Sequence, residues 1–116
     1  MKRIKLFEEF AIANNIDKIK NSLAKYDSIT KFYETPYGYK FVMNEKQDLY
    51  DKNNEGLPKI ECVNFHSSDA NWRITKYDFT PQGRPREKVI LSTDDIDKII
   101  KTMDKFGSYL LKNKKT

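Results

Sequence analysis

The chain has one cysteine, Cys62, and one histidine, His66. A single thiol excludes an internal disulfide and fits a reducing compartment, and the two residues cannot build a zinc site unaided. Glycine is scarce, with four in the whole chain, and no glycine-rich phosphate loop is present. No apolar run approaches the roughly 20 residues of a membrane-spanning helix. Glu8 and Glu9 interrupt "MKRIKLFEEF" before it reaches the apolar length that a secretory leader needs. A K/R-G-F-G-F type RNA-binding signature, a GxxG loop and zinc-finger spacing are all missing. The expectation is a cytoplasmic protein with no cofactor, no metal and no small-molecule substrate.

What is present describes one folded domain, residues 1–116. At 116 residues the chain is long enough for one modest core and too short for two. Aromatic residues make up 13%, against 38% hydrophobic and 34% charged, which is too aromatic for a disordered chain and implies a very polar surface. The net charge of +5 is moderate and neither half is strongly basic, which excludes a histone-like neutraliser of DNA. Lysine is the common cation, 18 against 4 arginines, and three of those four are Arg73, Arg84 and Arg86. An arginine among so many lysines marks a place where a planar, five-donor fork is wanted.

Ile12, Ile16, Ile19, Leu23 and Tyr26 recur at helical spacing and define one apolar helix face. Leu6, Phe7 and Phe10 lie upstream of Asn14-Asn15, so one kinked helix or two short ones fit equally well. "SITKFYETPYGYKFVMN" reads as a hairpin. Thr35-Pro36-Tyr37-Gly38 suits a type I turn closed by a glycine bulge, which pairs Thr35 with Tyr39, Tyr33 with Phe41 and Phe32 with Val42. Ile29, Tyr33, Tyr39, Phe41 and Met43 then share the core side. Residues 45–58 form a long polar connection with a helical turn around Asp48–Tyr50. "KIECVNFH" reads as a strand, "SSDA" as a turn and "NWRITKYDFT" as another strand.

"TKYDFTPQG" (75–83) echoes "TKFYETPYG" (30–38). Thr80-Pro81-Gln82-Gly83 is therefore expected to turn a second hairpin, into a strand over 84–91. The same register rule pairs Asp78 with Arg86, Lys76 with Lys88, Ile74 with Ile90 and Trp72 with Ser92. Ser92-Thr93-Asp94-Asp95 resembles a capping box with Asp in place of Glu. It precedes an apolar face of Ile96, Ile99, Ile100, Met103, Phe106 and Leu110, with Gly107 inside the helix and Lys112, Lys114 and Lys115 at its end. The fold class is α+β: an N-terminal helix, a five-stranded antiparallel meander, and a C-terminal helix packed on one sheet face.

The second hairpin is the candidate site. Arg84, Arg86, Lys88 and Lys76 fall on one face near the turn, with Asp78 as their only acid. Lys76 opposing Lys88 is unfavourable unless an anion sits there. Such a face engages phosphates or an acidic protein surface, with Arg73 and the lysine-rich C-terminus in support. The plain alternative is edge protection, since Pro85 marks an edge strand. Trp72, Tyr77 and Tyr37, with Phe32 and Phe65, are candidates for stacking on bases, against the reading of each as core or hairpin packing.

Catalysis has little to stand on. Cys62 and His66 share a strand face but lie about 13 Å apart at about 3.3 Å per residue, too far for a nucleophile and its base. "HSSD" (66–69) is turn composition rather than a triad. Asp51, Asn53 and Glu55-Gly56 faintly resemble a calcium loop, whose twelfth position would be Cys62 instead of Glu. The sequence thus points to a non-enzymatic binding protein that contacts nucleic acid. The second choice is a protein–protein inhibitor or adaptor, of the kind phage and mobile elements encode, that docks on an acidic or nucleic-acid-handling protein.

Overall fold

The computed structural model describes residues 14–45, 57–66 and 71–113. Residues 14–22 are helical (α1) and tighten into a 3-10 turn at Ala24–Tyr26. Five strands follow: β1 (Thr30–Thr35), β2 (Gly38–Met43), β3 (Lys59–Phe65), β4 (Trp72–Phe79) and β5 (Pro85–Thr93), and then helix α2 (Ile96–Asn113). The strands form one antiparallel sheet in the order β1-β2-β3-β4-β5. The α+β order expected from the sequence is the observed one. The expected upstream apolar residues Leu6, Phe7, Phe10 and Ile12, the turn near Asp48–Tyr50 and the "SSDA" turn lie outside the described residues.

One core joins both helices to one sheet face. Ile16, Ile19, Leu23 and Tyr26 on the first element meet Phe41, Met43, Ile60, Cys62, Trp72 and Ile74 of the sheet and Ile96, Ile99, Met103 and Leu110 of α2. Ile19, Ile60, Ile74 and Ile99 are fully enclosed, and each such side chain contributes about 1.5–3 kcal/mol through removal from water. The helix periodicity read from the sequence is the one that packs.

The two Thr-Pro-x-Gly hairpins turn differently. Around Thr80–Arg84 the expected three-residue loop forms: Gly83 N donates to Thr80 O at 2.8 Å and Thr80 N to Arg84 O at 2.8 Å, with Gly83 at φ 80°. The first hairpin instead pairs Thr35 with Gly38, Tyr33 with Lys40 and Phe32 with Phe41, a two-residue loop one step from the expected register. Gly38 has no bulge to close. It begins β2 at φ 155°, where a Cβ would run into the Asn64 carbonyl of β3. The Thr35 hydroxyl holds the turn by accepting from Tyr37 N at 3.2 Å and Gly38 N at 3.1 Å.

A one-residue slip exchanges faces. Phe32, not Tyr33, packs on Phe41 at 4.8 Å between ring centroids, while Tyr33 faces the other side and donates its hydroxyl to Glu45. A second departure lies between β4 and β5. The expected pairs hold at Asp78–Arg86 and Lys76–Lys88, but beyond Thr75–Val89 the partners become Ile74–Leu91 and Trp72–Thr93. Ile90 is the extra residue of a bulge.

Helix α2 also starts later than the capping-box spacing implies, because β5 continues through Thr93. Asp95 is the cap, its Oδ1 accepting from Asp97 N at 3.1 Å and Lys98 N at 3.3 Å. Gly107 allows a close approach to the Tyr26 ring rather than to the sheet. The Tyr26 hydroxyl donates to Asp104 Oδ1 at 2.6 Å, and Lys25 Nζ sits 2.8 Å from the same carboxylate.

Two substitutions check this packing by chemical denaturation. Gly107→Ala gains about 1 kcal/mol of helix propensity but drives a methyl into an anchored ring, so a net loss of roughly 1–2 kcal/mol is expected. Gly38→Ala drives a methyl into the backbone of Asn64 and Phe65 on β3, which cannot turn aside as a side chain can, and is expected to cost more than Gly107→Ala.

Candidate nucleic-acid interface

β4 and β5 project past the helix-covered core, and the cations fall where their alternation puts them. Lys76 and Asp78 on β4 stand directly across from Lys88 and Arg86 on β5, on the face that also carries Ile74. Asp78 is the centre of this group. Arg86 grips it with a two-pronged contact, Nε to Oδ1 at 2.8 Å and a terminal nitrogen to Oδ2 at 2.9 Å, and Lys76 Nζ lies 3.7 Å from Oδ2. The Asp78 side chain is 12% exposed and that of Arg86 is 55%.

The anion that the Lys76–Lys88 opposition calls for is therefore partly supplied from within. The Arg86 fork holds the Asp78 carboxyl below the usual carboxylate range, with Lys76 adding to the effect. Arg84, at the loop, and Lys88 make no ion pair among the described residues. Both are exposed. The site is an arginine fixed by an acid, flanked by cations that have no acid of their own.

The remaining candidates are not brought to this face. Arg73 points to the opposite side of the sheet and lies over the Phe65 ring, 5.1 Å from its centroid. Tyr77 shares that opposite side. Lys59 sits 4.7 Å over its ring, and burial, followed by a hydrogen bond to Glu61, pushes its hydroxyl up to about 12. Tyr37 is 78% exposed but belongs to the β1–β2 turn, at the far corner of the sheet. Trp72 is a correction: it is fully buried beside Phe41, and no base can reach it. Phe32 is likewise part of the packing, against Phe41 and under Lys20. Lys112 lies in the last turn of α2, and Lys114 and Lys115 lie outside the described residues.

Sequence reasoning missed a groove beside the hairpin. It has a volume of about 620 Å³ and is lined by Ile90, Phe106, Tyr109, Lys76 and Lys105, among others. The signal for Tyr109 was its place three residues after Phe106, on the flank of the apolar stripe. No signal in the sequence marked the bulge that delivers Ile90.

Cys62 faces the core, and burial pushes its thiol up, the state of a structural rather than a reactive cysteine. His66 lies edge-on to Tyr39, with ring centroids 5.3 Å apart. Among the described residues no group of His, Cys, Asp or Glu could hold a metal ion, and no helix is long and apolar enough to cross a membrane. Residues 67–69 of "HSSD" and the calcium-like stretch Asp51–Gly56 lie outside the described residues.

Set beside known proteins, the chain is 25% identical over 117 residues to the CRISPR-associated endonuclease Cas9 of Staphylococcus aureus, a match covering 99% of this chain and 10% of that protein. The chain thus spans about a tenth of the length of the curated relative it matches. No family model matches the chain. No solved structure matches it either.

The pinned Asp78 carboxyl has a consequence for pH. Its pKa is depressed in the folded chain, so the Arg86 clamp is fully present above the unperturbed aspartate value of about 3.9 and is lost as pH falls through the lower folded value. A carboxyl-carbon NMR titration is expected to place the Asp78 midpoint below about 3.9, and Arg86→Ala to return it upward.

Proposed function

We propose that this chain is a small non-enzymatic binding protein whose β4–β5 hairpin contacts nucleic acid. The observation that carries this reading is the cationic face itself. Asp78 fixes the plane of the Arg86 guanidinium while Lys88 and Arg84 stand exposed, with no acid of their own among the described residues. A guanidinium held on one side keeps donors for a phosphate on the other, and lysines beside it add charge without demanding geometry. The likeness to an endonuclease supports a nucleic-acid context. The competing reading is an inhibitor or adaptor that docks on a nucleic-acid-handling protein, and it leaves oligonucleotides unbound.

Fluorescence anisotropy with labelled DNA and RNA at several salt concentrations tests the proposal. The informative variant is Arg84→Ala/Lys88→Ala, because neither side chain has an ion pair to lose among the described residues, whereas removing Arg86 leaves Asp78 with Lys76 alone. Wild type is expected to bind with a steep salt dependence, log K falling by about 0.9 per phosphate contact on duplex and about 0.7 on single strands. The double variant is expected to bind more weakly, with that slope reduced by about 1–2. Absence of binding to every probe would sink the proposal.

A further inference from the structure

We infer that the groove between α2 and the β4–β5 hairpin seats an unstacked base of a single-stranded nucleic acid whose phosphates follow the hairpin's cations. The inference rests on the hairpin reading above and names the form of nucleic acid that the site takes.

The groove combines two chemistries. Its wall is apolar and aromatic: Tyr109 is 51% exposed and Ile90 36% exposed, and Phe106 packs against the core while still lining the opening. Its rim is cationic, with Lys76 and Lys105 at the opening and Lys88 directly across from Lys76. Among the described residues the acid at the rim is Asp78, already engaged by Arg86 and Lys76. An inorganic anion would use the cations and leave the rings idle. A base joined to a phosphate uses both, since a half-exposed aromatic ring offers a face for stacking.

The geometry favours a single strand over a duplex. In a duplex the base faces are covered by their neighbours, and only the backbone would reach the hairpin. A single strand can turn a base out, and the groove of about 620 Å³ opens beside the strand that carries Lys88. Arg84 lies four residues from Lys88, about 13 Å along the chain at about 3.3 Å per residue. A strand leaving the groove therefore passes both unpaired cations. Ile90 stands in the wall because the bulge at that position keeps it on the groove side while Leu91 packs inward.

The test compares three probes of equal length, a labelled single strand, the same strand without bases, and a duplex, by anisotropy on wild type, Tyr109→Ala and Arg84→Ala/Lys88→Ala. Tyr109→Ala is expected to weaken the intact single strand by roughly 5- to 150-fold and to leave the abasic strand and the duplex unchanged, with Tyr109→Phe retaining wild-type affinity. The cation variant is expected to weaken all three probes. Unchanged single-strand binding by Tyr109→Ala, or a duplex bound as tightly as the single strand, overturns the groove inference and leaves the hairpin reading intact. Failure of every oligonucleotide to bind overturns both, and capture of an acidic amphipathic peptide then assigns the face to a protein. An unchanged circular dichroism melt of Tyr109→Ala keeps loss of folding out of the comparison.

Discussion

A β-strand must deliver successive side chains to opposite faces, and β4 is held to that rule from both sides, by β3 along one edge and β5 along the other. Trp72 and Ile74 lie under the helices because the core needs them there. Lys76 and Asp78 then have no freedom to face elsewhere. The cationic face is thus the same sheet face as the core, continued beyond the cover of α2. The only slack in this arrangement is the bulge, and it falls on β5, the edge strand, where an extra residue disturbs one ladder instead of two.

The charges divide between the two faces by a related logic. On the side away from the helices, Lys40, Lys59 and Arg73 lie over the rings of Tyr33, Tyr77 and Phe65, and Lys40 and Lys59 also approach Glu61. Cations there are absorbed by the surface they sit on. On the helix side, among the described residues, only Asp78 answers the hairpin's cations, and it takes Arg86 first. The acids that answer these cations, Glu61 and Asp78, are both largely buried, at 15% and 12% exposure. What differs is how much charge is left over, and the excess gathers at the β4–β5 turn.

Much of this was legible in the sequence, and the failures have physical causes. Helix faces read correctly because a 3.6-residue period has few rival explanations: Ile16, Ile19, Leu23 and Tyr26 pack as their spacing implies. The strand order followed from turn chemistry. The register of the first hairpin did not, because the letters Thr-Pro-Tyr-Gly cannot say whether a glycine is wanted for its own φ or for room beside another strand. Gly83 is the first case and Gly38 the second, and the carbonyl that decides it belongs to Asn64, 26 positions away. Lys76, Lys88, Asp78 and Arg86 were placed correctly because they lie between the turn and the bulge, where counting from the loop still works. Arg73 lies beyond the bulge and on the other face. Trp72 was lost as a stacking residue to its own size, since the largest side chain available was needed to fill the space beneath Phe41.

Asn44 follows β2 in the left-handed region at φ 57°, a conformation that asparagine tolerates better than most residues. Its side-chain nitrogen donates to the carbonyls of Pro58 at 3.0 Å and Leu57 at 3.4 Å. These bonds tie the exit of β2 to the approach of β3. One buried amide thus joins backbone 13 and 14 positions further along the chain, and its loss would leave two strand ends, not one, without their shared anchor.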